Sequence, residues 1–153
     1  MNNLLIFIFY YVLILFSIIG YGFFFLRLCK LDKRLENIGY IGIFGIFFLI
    51  IYSYLSNFFV AHAEIHNVLI ILLGLFLFIS SVRKFNFEYK NQFFFIFVVF
   101  FLLFCGLFQF KNHDDFPYYH FPYTYYLTQQ SLHFGVGQFN HGFRTPSSIF
   151  YLN

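Results

Sequence analysis

Apolar residues gather along the chain in four long runs, which short polar segments separate. The runs cover residues 4–28, 38–60, 65–82 and 93–110. A helix needs about 20 mostly apolar residues to cross the hydrocarbon core of a bilayer. The two shorter runs have 18 residues each and still reach that length at about 1.5 Å per residue. The pattern therefore predicts an all-α fold, a polytopic transmembrane helix bundle with about four spans within residues 1–110.

Residues 111–153 break this pattern and form a second predicted region, an acidic and aromatic loop on the outer face of the membrane. They contain all three prolines and four of the six histidines of the chain. Pro122 suits the first turn of a short helix that runs to about Phe134, since Tyr123, Leu127 and Phe134 would fall near one face. We expect this helix to lie along the membrane surface.

The last residues of the sequence have the composition of a helix start. Thr145 and Pro146 precede two serines, and four apolar residues follow them. This order is typical of a helix N-terminus and its first turn. We therefore expect a further helix here, and expect the sequence to be the N-terminal part of a longer protein.

Composition excludes a soluble globular domain and a nucleic-acid-binding protein. Hydrophobic residues make up 61% of the 153 residues, and charged residues only 10%, where about 25% is usual. This small number of charges cannot solvate a water-exposed surface. Most of the surface should therefore contact the lipid bilayer or other helices. The net charge of +3 is small, and no basic face of the kind that binds phosphate backbones is present.

The distribution of basic residues predicts the orientation in the membrane. Seven of the nine lysines and arginines lie in the segments 27–37 and 83–92, whereas the N-terminus and the connection 61–64 have none. Loops rich in lysine and arginine stay in the cytoplasm. With four spans, residues 111–153 and all six histidines then lie on the outer side.

Two adjacent carboxylates, Asp114 and Asp115, are the leading candidates for chemistry. They precede an aromatic stretch that contains Tyr119 and His120. Such a pair suits deprotonation of an acceptor hydroxyl, binding of a divalent cation, or retention of a diphosphate through that cation. The alternative is a solvated loop whose tyrosine and histidine belong to an aromatic belt at the membrane surface.

This segment resembles the first large outer loop of GT-C type membrane glycosyltransferases, which are multi-spanning enzymes that use lipid-linked sugar donors. The resemblance is strongest to bacterial members, in which an Asp-rich loop is followed by Tyr-His-x-Pro. The matching positions are Asp114, Asp115, Tyr119, His120, Pro122, Asn140, Arg144 and Ser148. The resemblance covers most of residues 111–153.

The resemblance implies a role for each of these side chains. One aspartate would be the catalytic base or a metal-associated group, and the participation of a divalent metal ion stays open. Tyr119, His120 and Arg144 would bind substrate, with the planar guanidinium pairing with a phosphate of a polyprenyl-phosphate sugar donor. It also implies a bacterial inner (plasma) membrane, with the acidic loop on the periplasmic or outer side.

Two further patterns have both a functional and an ordinary structural interpretation. His62 and His66 would share one face of a helix, but the order is not the His-Glu-x-x-His of zinc proteases, so a polar turn at the membrane boundary is favoured. Gly39, Gly42 and Gly45 form a row at a spacing of three, which would permit close packing of the second span or would simply be tolerated there.

Two functions of different classes therefore compete. One is the N-terminal part of an integral membrane glycosyltransferase, and the other is a non-catalytic membrane scaffold or subunit. A transporter is disfavoured because the middles of the four spans contain no ionisable residue.

Overall fold

A computed structural model of the chain describes residues 2–30, 37–82, 90–107, 114–144 and 148–152. Over these residues the chain is helical and forms no strand, which confirms the all-α prediction. The five α-helices are α1 (Asn2–Leu28), α2 (Ile38–Asn57), α3 (Glu64–Val82), α4 (Lys90–Leu107) and α5 (Phe121–Gln129). Four short turns of π or 3-10 helix complete the second half: Phe116–His120, Val136–Gln138, His141–Arg144 and Ser148–Tyr151.

Three of these helices are long and apolar enough to cross a membrane. They are α1, α2 and α3, and they match the first three predicted runs to within a few residues. The second run was predicted to continue to Val60, but α2 ends at Asn57 and a turn follows. In α4 the continuous apolar part, Asn91–Gly106, is shorter. The predicted end of this run, residues 108–110, lies outside the described part of the chain.

The outward faces of these helices are strongly apolar. Leu5, Ile43 and Phe76 each expose about three fifths of their surface, as do many other large apolar side chains on α1 to α4. Exposed apolar area on this scale is not compatible with water. The helices are thus suited to contact with a lipid bilayer.

The chain divides into two compact units. The first comprises residues 1–48 and 70–110, that is α1, α4, the first half of α2 and most of α3. Its buried core is formed by Ile19, Phe23, Leu26, Ile38 and Ile41, with phenylalanines packed around them. This core joins α1 to the start of α2.

Glycine allows close contact between helices of the first unit. A Cβ atom at Gly74 of α3 would overlap Ser17 of α1, and one at Gly45 of α2 would overlap the backbone of Ile18. Small residues that bring backbones together in this way are typical of membrane helix packing. Of the predicted row at 39, 42 and 45, Gly45 alone packs against another helix, because a Cβ atom at Gly42 would have open space around it.

The second unit comprises residues 49–69 and 111–153. Its core contains Tyr123 and Leu127 of α5 together with Val136 and Tyr151. Tyr123 and Leu127, which the sequence placed near one face of a short helix, are both buried in this core. Phe134, which was placed on the same face, is 94% exposed and lies beyond the helix.

α5 is shorter than predicted because the backbone that follows it is hydrogen-bonded to another segment. α5 stops at Gln129, and Gln130 is extended. The Leu132 N–H then donates to the carbonyl of Asn57 at 2.8 Å. The carbonyl of Leu127 near the helix end accepts from the His62 N–H at 3.0 Å and from Asn57 Nδ2 at 3.3 Å. These long-range bonds replace those that a continued helix would make.

The predicted helix start near the end of the sequence lies partly outside the described residues, since 145–147 are not among them. Ser148–Tyr151 forms a single 3-10 turn. The expectation of a further helix beyond this turn stays a prediction.

Candidate functional site

The aromatic segment that follows the two aspartates begins with a turn of π-helix, Phe116–His120. Phe121 N–H closes it by donating to the carbonyl of Phe116. Pro122 stands in the first turn of α5 and has no N–H. It therefore cannot supply the donor that the Tyr118 carbonyl would receive in an α-helix. The Asn140 side chain donates to this carbonyl instead, at 3.2 Å.

Asp115 and Tyr119 form the polar pair of this turn. The Tyr119 hydroxyl donates to Asp115 Oδ2 at 2.9 Å. The backbone carbonyl of Asp115 also accepts from the N–H groups of Tyr118 and Tyr119, each at 3.2 Å. The hydrogen bond to the Asp115 side chain raises the pKa of Tyr119, as do desolvation and the charge of that carboxylate. Tyr119 thus stays a proton donor that orients the half-buried Asp115, whereas Asp114 beside it is exposed.

The turn His141–Arg144 fixes the position of the Tyr119 ring. A Cβ atom at Gly142 would overlap the ring carbons of Tyr119, so backbone and ring lie in direct contact. The Gly142 N–H donates to Asn140 Oδ1 at 2.9 Å. The amide nitrogen and the amide oxygen of Asn140 thereby connect the π turn to the His141–Arg144 turn.

His120 and Arg144 stand on these same two turns. The His120 ring is half-buried and contacts the rings of Tyr119 and Phe150, with centroids 4.3 Å and 4.9 Å away. Arg144 is exposed, and its Nε donates to the carbonyl of Gly137 at 3.3 Å. A guanidinium has five N–H donors, and this contact uses one of them.

The predicted site residues therefore lie on two neighbouring turns. Asp115, Tyr119 and His120 lie together in one turn, with Asp114 next to them on the exposed side. Arg144 belongs to the turn that packs on this one. The positioning role of Gly142 was not predicted. A glycine close to a predicted turn was the available signal, but the contact with Tyr119 spans 23 residues of chain.

Buried tyrosines hold α5 against the turn Ser148–Tyr151. The hydroxyls of Tyr123 and Tyr151 are hydrogen-bonded at 2.8 Å, and the ring of Tyr54 packs on Tyr151 with centroids 4.9 Å apart. Burial is the main reason that the pKa of both Tyr123 and Tyr151 is raised. These phenols remain neutral and stabilise the core of the second unit.

His62, which lies between α2 and α3, and His66, in the first turn of α3, form a second polar cluster. The rings of His62 and His66 stack with centroids 4.5 Å apart and planes 5° from parallel. Nε2 of His62 pairs with the Ser56 hydroxyl at 2.9 Å, and Nε2 of His66 pairs with the Tyr52 hydroxyl at 3.2 Å. The Asn67 amide donates to the His62 carbonyl at 3.0 Å.

His62 is buried, with 1% of its surface exposed. Desolvation by burial, followed by the neighbouring His66, lowers its pKa to about 4. It is therefore neutral at physiological pH. The two histidines do not share a helix face as expected, because His62 lies before the first residue of α3, yet their rings still meet.

Within the described ranges, no three His, Cys, Asp or Glu side chains come close enough together to hold a metal ion.

Comparison of the sequence with protein-family models and with characterised proteins finds no match, and no solved structure matches the fold.

Proposed function

We propose that the chain is the N-terminal part of an integral membrane glycosyltransferase of the GT-C type. In this proposal α4 crosses the membrane as a fourth span, the two basic loops lie in the cytoplasm and the acidic turn lies on the outer side of a bacterial plasma membrane. The enzyme would move a sugar from a polyprenyl-phosphate carrier to an acceptor. The observation that carries the proposal is the hydrogen bond from Tyr119 to Asp115.

That hydrogen bond distinguishes the two aspartates. A general base must be ionised and held within reach of the proton that it removes. Tyr119 holds the Asp115 carboxylate, and the ring of Tyr119 is itself held by Gly142. Asp114 is exposed. We therefore assign the base to Asp115 and a secondary role, contact with the acceptor or with solvent, to Asp114.

The remaining side chains orient the base or pair with the charge of the sugar donor. Tyr119 orients the base without giving up its proton, because its pKa is raised. His120 continues the same aromatic surface beside it. Arg144 stands on the packed turn with further N–H donors, which suits a phosphate of the donor because a guanidinium pairs with phosphate through two parallel hydrogen bonds.

Charge-removing substitutions at the aspartates test the assignment. Asp115→Asn keeps the shape of the side chain but cannot accept a proton, so it should reduce sugar transfer by about 10²- to 10⁴-fold. Tyr119→Phe and His120→Ala should cost less, because they affect orientation alone. Transfer would be measured in membranes that contain the full-length protein and a lipid-linked sugar donor.

Glu64→Gln is the matched control, since Glu64 is exposed and lies outside this turn. It should leave transfer unchanged, and all variants should reach the membrane in similar amounts. Full transfer by the double variant Asp114→Asn, Asp115→Asn would reject the catalytic assignment. The non-catalytic scaffold would then account better for the chain, with the turn as a structural connection.

A further inference from the structure

A groove opens in the first unit between α1, the start of α2 and α4. Its volume is about 550 Å³, which lies within the range of about 300 to 1,000 Å³ of small-molecule sites. Asn37, Asn91 and Gln92 contribute polar groups, and the wall continues along α4 through apolar side chains to Val99 and Leu103. The Gln92 Oε1 accepts from the Ile38 N–H at 3.0 Å, which brings the start of α4 against the start of α2.

The length of this wall matches one leaflet of a bilayer. Gln92 and Leu103 are eleven residues apart on α4, so they are separated by about 17 Å along the helix axis. Half of the hydrocarbon core of a bilayer is about 15 Å thick. In a bilayer that α4 crosses, with Asn91 and Gln92 at the polar start of the helix, the apolar part of the groove would extend from the membrane surface to about the bilayer centre.

The dimensions favour a hydrocarbon chain over a protein helix. A volume of about 550 Å³ over about 17 Å gives a mean cross-section of roughly 30 Å², whereas a helix with its side chains is about 10 Å wide and needs roughly 80 Å². The groove is also bordered by exposed side chains such as Phe95 and Val99, so it is open to the surrounding lipid.

Charge favours an anionic headgroup at the polar end. The segments 27–37 and 83–92, which lead directly to Asn37 and to Asn91, contain seven basic and three acidic residues. The excess of four positive charges compares with a net charge of +3 for the whole chain, so the rest of the protein is slightly negative. Each basic residue near a membrane surface attracts anionic lipid by about 1 kcal/mol.

From the fit of length, cross-section and charge, we propose that this groove is a binding site for one anionic phospholipid of the leaflet at its polar end. One acyl chain lies along α4, and the phosphate lies beside Asn37, Asn91 and Gln92. The site rests on the proposed insertion of α4 as a membrane span, but on neither the catalytic assignment nor the absolute orientation of the chain.

The test uses the purified chain reconstituted in vesicles of phosphatidylcholine or of phosphatidylcholine mixed with phosphatidylglycerol. Native mass spectrometry after mild delipidation then counts the lipids that remain bound. We expect one retained phosphatidylglycerol per chain and little phosphatidylcholine. Gln92→Glu keeps the oxygen that accepts from Ile38 but adds a negative charge, so it should weaken retention of phosphatidylglycerol by about fivefold to tenfold.

Gln138→Glu is the matched control, because Gln138 is exposed on a turn of the second unit. It should leave lipid retention unchanged. Val99→Trp tests the apolar wall separately and should reduce retention of both lipids. Equal retention of the two lipids by the unmodified chain would overturn the proposal, as would retention of phosphatidylglycerol that neither groove variant changes. A lipid-free dimer that covers α4 would also overturn it, because a second copy would then occupy the groove.

Discussion

The buried His62 makes the stability of the second unit depend on pH. Its pKa is about 4 in the folded chain, against about 6.5 in an unfolded one. Since the unfolded state binds the proton more readily, stability is complete above about pH 6.5 and is lost as the pH falls towards 4. The titratable group that faces the ring is His66, which is stacked on it, while Ser56 pairs with its Nε2. A hydrogen bond to the backbone of Tyr151 opposes part of the pKa shift.

The two pKa values set the size of this effect. At pH 5 almost all unfolded chains carry a proton on His62, and about one folded chain in ten does. The corresponding loss of stability relative to neutral pH is about 2 kcal/mol. For a chain of this length, that loss lowers the midpoint of thermal unfolding by about 4 to 8 °C.

The contribution of His62 is isolated by comparing the pH dependence of two proteins in detergent. The thermal midpoints of the native chain and of His62→Gln are measured at pH 7.5 and at pH 5, because glutamine retains polar groups near Ser56 but does not titrate. The native chain should lose about 4 to 8 °C more than the variant. His133→Gln, which changes an exposed histidine, should retain the native pH dependence. Identical pH dependence in the native chain and His62→Gln would show that titration of His62 does not set the stability.

Three further predictions concern packing and topology. Gly74→Ala should destabilise the chain by about 1 to 3 kcal/mol, because the added carbon overlaps α1. Gly42→Ala is the control and should be close to neutral, and thermal midpoints in detergent would compare the two variants. Tyr151→Phe leaves the buried hydroxyl of Tyr123 without its 2.8 Å hydrogen-bond partner. By the same measurement, it should lower the free energy of unfolding by about 1 to 3 kcal/mol. In a background without other cysteines, a cysteine that replaces Asn112 should react with an impermeant maleimide on intact cells and one that replaces Asn91 should not; the reverse would invert the proposed topology.

The main helices were predictable because each long apolar run must form a helix to satisfy its backbone in lipid. Their ends were less predictable. α2 ends three residues before the apolar run does, at Asn57, because the carbonyl of Asn57 receives the N–H of Leu132. The end of α5 at Gln129 depends on the same long-range pairing. Hydropathy carries no information about a partner 75 residues away in the sequence.

The candidate site was predictable in its residue types and only in part in its arrangement. The sequence indicated Asp114, Asp115, Tyr119 and His120 as neighbours, and adjacent residues in one turn must lie close together. It did not distinguish the two carboxylates. That distinction comes from the i, i+4 contact of Tyr119 with Asp115, which requires the intervening residues to be helical despite Pro117. Proline is tolerated there because it stands at the start of the turn.

Pro122 and Asn140 are linked by one hydrogen-bonding requirement. They are 18 residues apart in the sequence, which gives no sign that they interact. In the structure they belong to one requirement, because the proline removes an N–H donor and the Asn140 amide donates to the carbonyl of Tyr118. The other end of the same amide accepts from Gly142, whose backbone contacts the ring of Tyr119. A proline in the first turn of the helix thus creates the need for a polar side chain from a distant turn, and that side chain brings in the glycine that holds the phenol against Asp115.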